Sequence, residues 1–118
     1  MKNQSLSARS RNALAGIAQA IRYERSFRLH LVAACVVAVA LCILKPEAIW
    51  IAVTLIAAAA VLAAELVNTA LETLADHLHP EQHASIRIAK DCAAGAVLVT
   101  ALAAAGVGLC LAIHLVGR

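Results

Sequence analysis

Glu65-Leu66-Val67-Asn68-Thr69-Ala70-Leu71-Glu72, with Asp76 one turn further on, closes an apolar run that begins at Ala48. At 100° per residue, Glu65, Asn68, Thr69, Glu72 and Asp76 fall on one helical stripe roughly 100° wide. The run that carries this stripe has the composition of a segment built for lipid. Carboxylates directed together at the edge of a bilayer are costly, so they need a function or a partner.

The rest of the chain agrees with a membrane setting. It has 118 residues, enough for one domain, and 63% of them are apolar, against roughly 45–50% in an ordinary soluble domain. Aromatics make up only 3%, so a soluble core would lack large packing residues. The fold expected is an all-α membrane protein: an amphipathic interfacial helix over about 8–28 and transmembrane helices over about 29–44, 48–72 and 92–116.

Residues 8–27 place Ala13, Leu14, Ile17, Ala20, Ile21 and Glu24 at spacings of three and four, with Arg11, Gln19, Arg22 and Arg25 elsewhere. A basic amphipathic helix beside a span lies in the interface. Glu24 falls on the apolar side. Two readings of it stand at this point, an ion pair with Arg28 one turn away and a ligand role. Leu29–Leu44 is a short span; His30, at its start, reads as an interfacial side chain. Lys45-Pro46-Glu47 is a tight turn that sends the next helix back antiparallel, with Trp50 as an aromatic anchor. That helix runs through the carboxylate stripe to about Leu78. Ala57–Ala60, Ala63 and Ala64 give it a narrow surface for close packing in a bundle completed by other copies. Pro80 ends it. His77, His79 and His83 read as members of an exposed loop in preference to a metal site. Lys90-Asp91 opens the third span, where Gly95, Gly106 and Gly108 again indicate close packing. Cys35, Cys42, Cys92 and Cys110 form no Cys-x-x-Cys pair and read as small buried hydrophobes.

Lys2, Arg9, Arg11, Arg22, Arg25 and Arg28 all precede the first apolar run, which places the N-terminus inside by the positive-inside rule. Such residues also suit anionic lipid or nucleotide phosphates, and no nucleic-acid partner is expected. On this topology the stripe, Lys90-Asp91, Glu24 and the arginines meet at the cytoplasmic interface. Only Lys45, Glu47, His114 and Arg118 lie at the other end. Carboxylates with an Asn suit Mg²⁺, which shares its oxygen ligands with substrate phosphates. A neighbouring Lys suits phosphate oxygens. A partly desolvated carboxylate can take a proton from a lipid hydroxyl. No Gly-x-x-x-x-Gly-Lys or Gly-x-Gly-x-x-Gly loop is present, which excludes a P-loop or protein-kinase nucleotide site. Chemistry alone leaves two readings level: phosphoryl transfer to a lipid alcohol, and a small proton- or ion-coupled transport subunit.

Three motifs separate them. Ala20-Ile-Arg-Tyr-Glu24-Arg-Ser-Phe27-Arg28, then Glu65-Leu-Val-Asn68-Thr-Ala-Leu-Glu72-x-x-x-Asp76, then Ala89-Lys90-Asp91-Cys-Ala-Ala-Gly95-Ala-Val stand in order at compatible spacing. Over roughly residues 11–116 the chain resembles the prokaryotic integral-membrane diacylglycerol kinase family, which includes the undecaprenol kinases. The resemblance implies a homotrimer of three-span subunits with shared active sites in the bacterial inner membrane, using ATP and Mg²⁺ on a lipid alcohol. It implies Glu65 as general base and Glu24 and Glu72 as metal ligands, which favours the ligand role for Glu24. It further implies Asn68, Lys90 and Asp91 as organisers of the phosphates and the base, and Glu81, Gln82 and His83 as nucleotide contacts. The first motif reads Glu24-Arg-Ser-Phe27-Arg28 and the third Lys90-Asp91-Cys-Ala, wording more like the undecaprenol kinase branch. Diacylglycerol and undecaprenol both remain open as the lipid.

Overall fold

The computed structural model describes residues 3–118; Lys2, counted above with the basic cluster, lies outside the described residues. The described chain consists of four helices: α1 (Leu6–Tyr23), α2 (Arg25–Leu44), α3 (Ala48–Leu78) and α4 (Ala84–Val116). The last three are each long and apolar enough to cross a membrane. At most 17% of any one of these apolar windows is buried inside the chain, so the remaining apolar surface requires lipid or further protein around it. This is a multi-pass membrane protein.

Ser5 caps α1 by accepting a hydrogen bond from the Ala8 amide at 3.2 Å. The helix stops at Glu24, whose backbone leaves the helical region (φ −107°, ψ 106°). The break orphans little. The Glu24 amide still donates to the Ala20 carbonyl, and the Arg28 amide donates to the Glu24 carbonyl. The Arg28 guanidinium reaches back over the joint and donates to the carbonyls of Ile21 and Arg22, both at 3.0 Å. It thereby satisfies two of the last acceptors of α1. Arg28 is committed to backbone, and the Glu24–Arg28 ion pair weighed from the sequence is not made. Ala20 and Phe27, on either side of the joint, are both buried.

α2 starts at Arg25, and its 20 residues span about 30 Å, one hydrocarbon thickness. It ends at Lys45, which takes the left-handed conformation (φ 47°) while its amide donates to the Leu41 carbonyl. α3 then returns antiparallel. Its 31 residues make about 46 Å, roughly ten residues more than a bilayer core needs. α4, with 33 residues, is longer still. α3 is the central element: it packs along α4, against α2, and against α1 at the end where the stripe lies.

The turn end of the bundle is tied shut. Glu47 lies 2.8 Å from His114 Nε2, and the His114 ring stacks on Trp50 at 5.2 Å between centroids. Arg118 donates to the Leu44 carbonyl and stands 4.0 Å from Glu47. The Glu47 carboxyl is held below its ordinary range, first by a hydrogen bond from its own backbone amide and then by the bond with His114.

Two packing expectations fail within the single chain. All four cysteines are exposed, because the bundle buries only a narrow seam of each helix. A Cβ built on Gly95, Gly106 or Gly108 meets nothing within 4 Å, so the close approach these residues permit is not made inside one copy.

Candidate active site

Glu65 is the most deeply placed ionisable group in the stripe, only 3% exposed. It sits where α3 passes α2, and two α2 side chains one turn apart reach the same carboxylate oxygen. Ser26 Oγ donates to Glu65 Oε1 at 2.6 Å. His30 Nδ1 lies 2.7 Å from that same Oε1, without the in-plane alignment of an ideal ring N–H bond. The two atoms are in contact, but the ring N–H is not aimed along a hydrogen bond to Oε1. His30 is therefore not a simple interfacial side chain. Its ring also lines a cavity of about 140 Å³ between α2, α3 and α4, walled by residues such as Ala34, Ala58, Val61 and Ala104.

Further along α3 the stripe opens toward water. Asn68 is half-buried, and its Oδ1 is buried with no hydrogen-bond partner among the described residues. Glu72 is half-buried, while Asp76 is exposed and forms an ion pair with Lys90 of α4. Lys90 thus pairs across the helix hairpin. Its sequence neighbour Asp91 points elsewhere, 3.7 Å from Arg87 one turn back on α4.

The α3–α4 connection, residues 79–83, walls a pocket of about 560 Å³. His79, Glu81, Gln82, His83, Arg87 and Lys90 all line it. Glu81, Gln82, His83 and Lys90 thus line one pocket, while Asp91 is not among the lining residues. His83 caps α4: its Nδ1 accepts from the Ser85 amide at 3.1 Å, which leaves the ring proton on Nε2. The Glu81 carboxyl is held below its ordinary range by its own backbone amide and then by His79, 3.4 Å away.

Glu24 lies at the α1–α2 joint, half-buried, and neither it nor Glu72 has an ion-pair partner among the described residues. No three His, Cys, Asp or Glu side chains converge among the described residues. The oxygens that Glu24 at the α1–α2 joint and Asn68 and Glu72 on α3 offer are all hard donors. That set suits Mg²⁺, which takes one or two carboxylates and completes its shell with water and substrate phosphates. It does not suit a zinc-type site.

Sequence reasoning did not identify Ser26 and His30 as part of the site. The available signal was their four-residue spacing, which puts two polar groups on one face of an otherwise apolar helix start.

Three membrane-length helices, with a buried carboxylate and a polar pocket toward the end where an amphipathic helix joins them, define the class: a multi-pass membrane protein with its polar groups gathered at one end. The model of the prokaryotic diacylglycerol kinase family matches residues 11–112, and the chain belongs to that family. It is 44% identical over 102 residues to a diacylglycerol kinase of Synechocystis, covering 86% of this chain and 58% of that protein. It is 34% identical over 94 residues to an undecaprenol kinase of Bacillus subtilis, covering 80% of this chain and 76% of the relative. The matched region thus spans little more than half of the first relative's length.

Proposed function

We propose that the protein is an ATP- and Mg²⁺-dependent lipid kinase, which transfers the γ-phosphoryl group to the hydroxyl of a membrane lipid alcohol. The observation that carries this reading is the pairing of a buried, oriented carboxylate, Glu65, with a polar pocket further along the same helix. Eleven residues separate Glu65 from Asp76 at the pocket, about 16 Å of helix. A nucleotide seated in the pocket would direct its phosphates back along the stripe, past Glu72 and Asn68, toward Glu65. The lipid hydroxyl, at headgroup depth, would approach Glu65 from the membrane side. Membership of a family with both diacylglycerol kinase and undecaprenol kinase relatives supports the same reaction class.

In this reading Glu65 is the general base. Lys90, drawn toward the pocket by Asp76, supplies a point charge for phosphate oxygens, and Glu81, Gln82 and His83 contact the nucleotide. Asp91, 3.7 Å from Arg87, would help Lys90 organise the phosphates and the base. Glu24 and Glu72 would hold Mg²⁺ together with substrate phosphates, and Asn68 would organise the phosphates beside them. When bound, the metal neutralises phosphate charge as the transfer proceeds. Active sites shared within a homotrimer accord with the unpartnered Glu24 and with the uncovered glycine faces of α4. The basic residues of α1 and early α2 would place this end on the cytoplasmic side of the bacterial inner membrane.

The test is purified protein with labelled ATP and Mg²⁺, offered diacylglycerol and undecaprenol side by side. Transfer of label to either lipid supports the reading, and the better substrate assigns the branch. Proton or ion flux in liposomes without ATP consumption would replace it with the transport reading.

A further inference from the structure

Glu65 has two carboxylate oxygens, and among the described residues only one of them is engaged. Ser26 Oγ and His30 Nδ1, at 2.6 and 2.7 Å, both converge on Oε1. Four residues apart on α2, they occupy successive turns of one face, so a single rigid helix presents both. The geometry points to Ser26 and His30 as positioning residues for the phosphoryl transfer. Together they hold Oε1 and thereby aim Oε2 at the substrate hydroxyl.

A carboxylate on a Glu side chain has three torsions to settle, and a base that wanders loses the near-attack geometry. A hydroxyl hydrogen bond and an imidazole nitrogen in close contact with the same oxygen restrict that freedom. They also give polar contacts to a carboxylate that is only 3% exposed. Ser26 alone would leave the carboxylate free to pivot about one bond. His30, half-exposed and backed by the cavity between the three spans, closes that pivot. In the step that follows, the lipid O–H bond breaks and its proton passes to Oε2. The lipid oxygen bonds to the γ-phosphorus, and the bond from that phosphorus to the β–γ bridging oxygen breaks, its electron pair leaving with the nucleoside diphosphate. Ser26 and His30 exchange no proton with substrate; they act through Glu65.

This inference rests on the kinase reading, and its test separates the two. Steady-state kinetics with ATP and the preferred lipid would compare the unmodified chain with His30→Ala, His30→Asn and Ser26→Ala. The Asn amide nitrogen sits where Nδ1 does, so His30→Asn keeps a donor without an imidazole. His30→Ala and Ser26→Ala should each lower kcat about tenfold or more, the usual weight of a hydrogen bond to a charged group, with both KM values within about twofold. His30→Asn should recover kcat to within about threefold of the unmodified chain. Should His30→Ala fail to fold, Ser26→Ala carries the same comparison from an exposed position. A kcat unchanged in both truncations, a change confined to KM, or a His30→Asn variant as slow as His30→Ala would each overturn the proposal. Imidazole nitrogen NMR of the protein in micelles reads the contact without turnover, with His30→Asn identifying the His30 signals. Glu65→Gln should shift them, and unmoved signals would also overturn the proposal. No lipid phosphorylation by the unmodified chain would bring down the kinase reading and this inference with it, whereas normal turnover in His30→Ala would bring down the inference alone.

Discussion

Replacing Glu65 by Gln isolates the base from the scaffold. The side chain keeps its length and branching, and its amide oxygen still accepts the Ser26 hydroxyl that now lies 2.6 Å from Oε1. What disappears is the negative charge and the capacity to accept a proton from a hydroxyl. Because Glu65 is 3% exposed, the substitution also removes a desolvated charge from the α2–α3 contact, so the fold should not weaken. General base catalysis contributes about 10²–10⁴ in rate, or roughly 2.7–5.4 kcal/mol of barrier. The expected variant is therefore a folded protein, melting at or above the temperature of the unmodified chain, with kcat lowered about 10²–10⁴-fold. Its ATP affinity should be unchanged, since the pocket between α3 and α4 lies about 16 Å further along the helix. The assay is transfer of labelled phosphate from ATP to lipid in mixed micelles, with thermal melting on the same preparation. Glu65→Gln with more than about a tenth of normal turnover would refute Glu65 as the base. Inactivity accompanied by a collapsed melt would refute the claim that the charge serves chemistry and not packing.

Further outcomes follow from other contacts. Lys90→Ala removes both the pair with Asp76 and a pocket-lining cation, and should raise the KM for ATP about tenfold; Asp76→Asn should raise it less, since Lys90 itself remains. Glu24→Gln and Glu72→Gln should shift the Mg²⁺ titration of activity to higher concentration, and an unchanged titration would remove their ligand role. At the turn end, the folded Glu47 carboxyl titrates below its ordinary 4.5, so its contribution is present above that value and is lost as pH falls through the lowered one. Melting of the unmodified chain should therefore fall more steeply below about pH 4.5 than that of Glu47→Gln, and parallel curves would mean that the His114 contact contributes nothing.

The α1–α2 joint shows how a helix can be legible in sequence while the partners of its side chains are not. Apolar periodicity marks a helix before the first span, and the i,i+4 spacing of Glu24 and Arg28 allows an ion pair as one of two readings. In the folded chain the backbone breaks at Glu24, and the freed carbonyls of Ile21 and Arg22 draw Arg28 away. An orphaned acceptor at a helix end binds a guanidinium as well as an exposed carboxylate does, and sequence spacing does not report the break. The glycines and cysteines fail for a related reason. Composition says that such residues suit close packing, but which faces one copy buries depends on how its helices are rotated.

By itself the sequence determined the three spans, their antiparallel order, the amphipathic helix ahead of them and the end at which the carboxylates gather. Each of these is a property of windows of roughly 20 residues or fewer, where hydropathy and helical period act locally. Tertiary structure alone decided which groups meet. It brought Ser26 and His30 of α2 onto one oxygen of Glu65, paired Lys90 with Asp76 in place of its neighbour Asp91, and closed the turn end with Glu47 and His114. Those pairings depend on the relative rotation and axial register of antiparallel helices. In a membrane these are set by side-chain packing and interhelical hydrogen bonds, because lipid supplies no hydrophobic drive to choose between them.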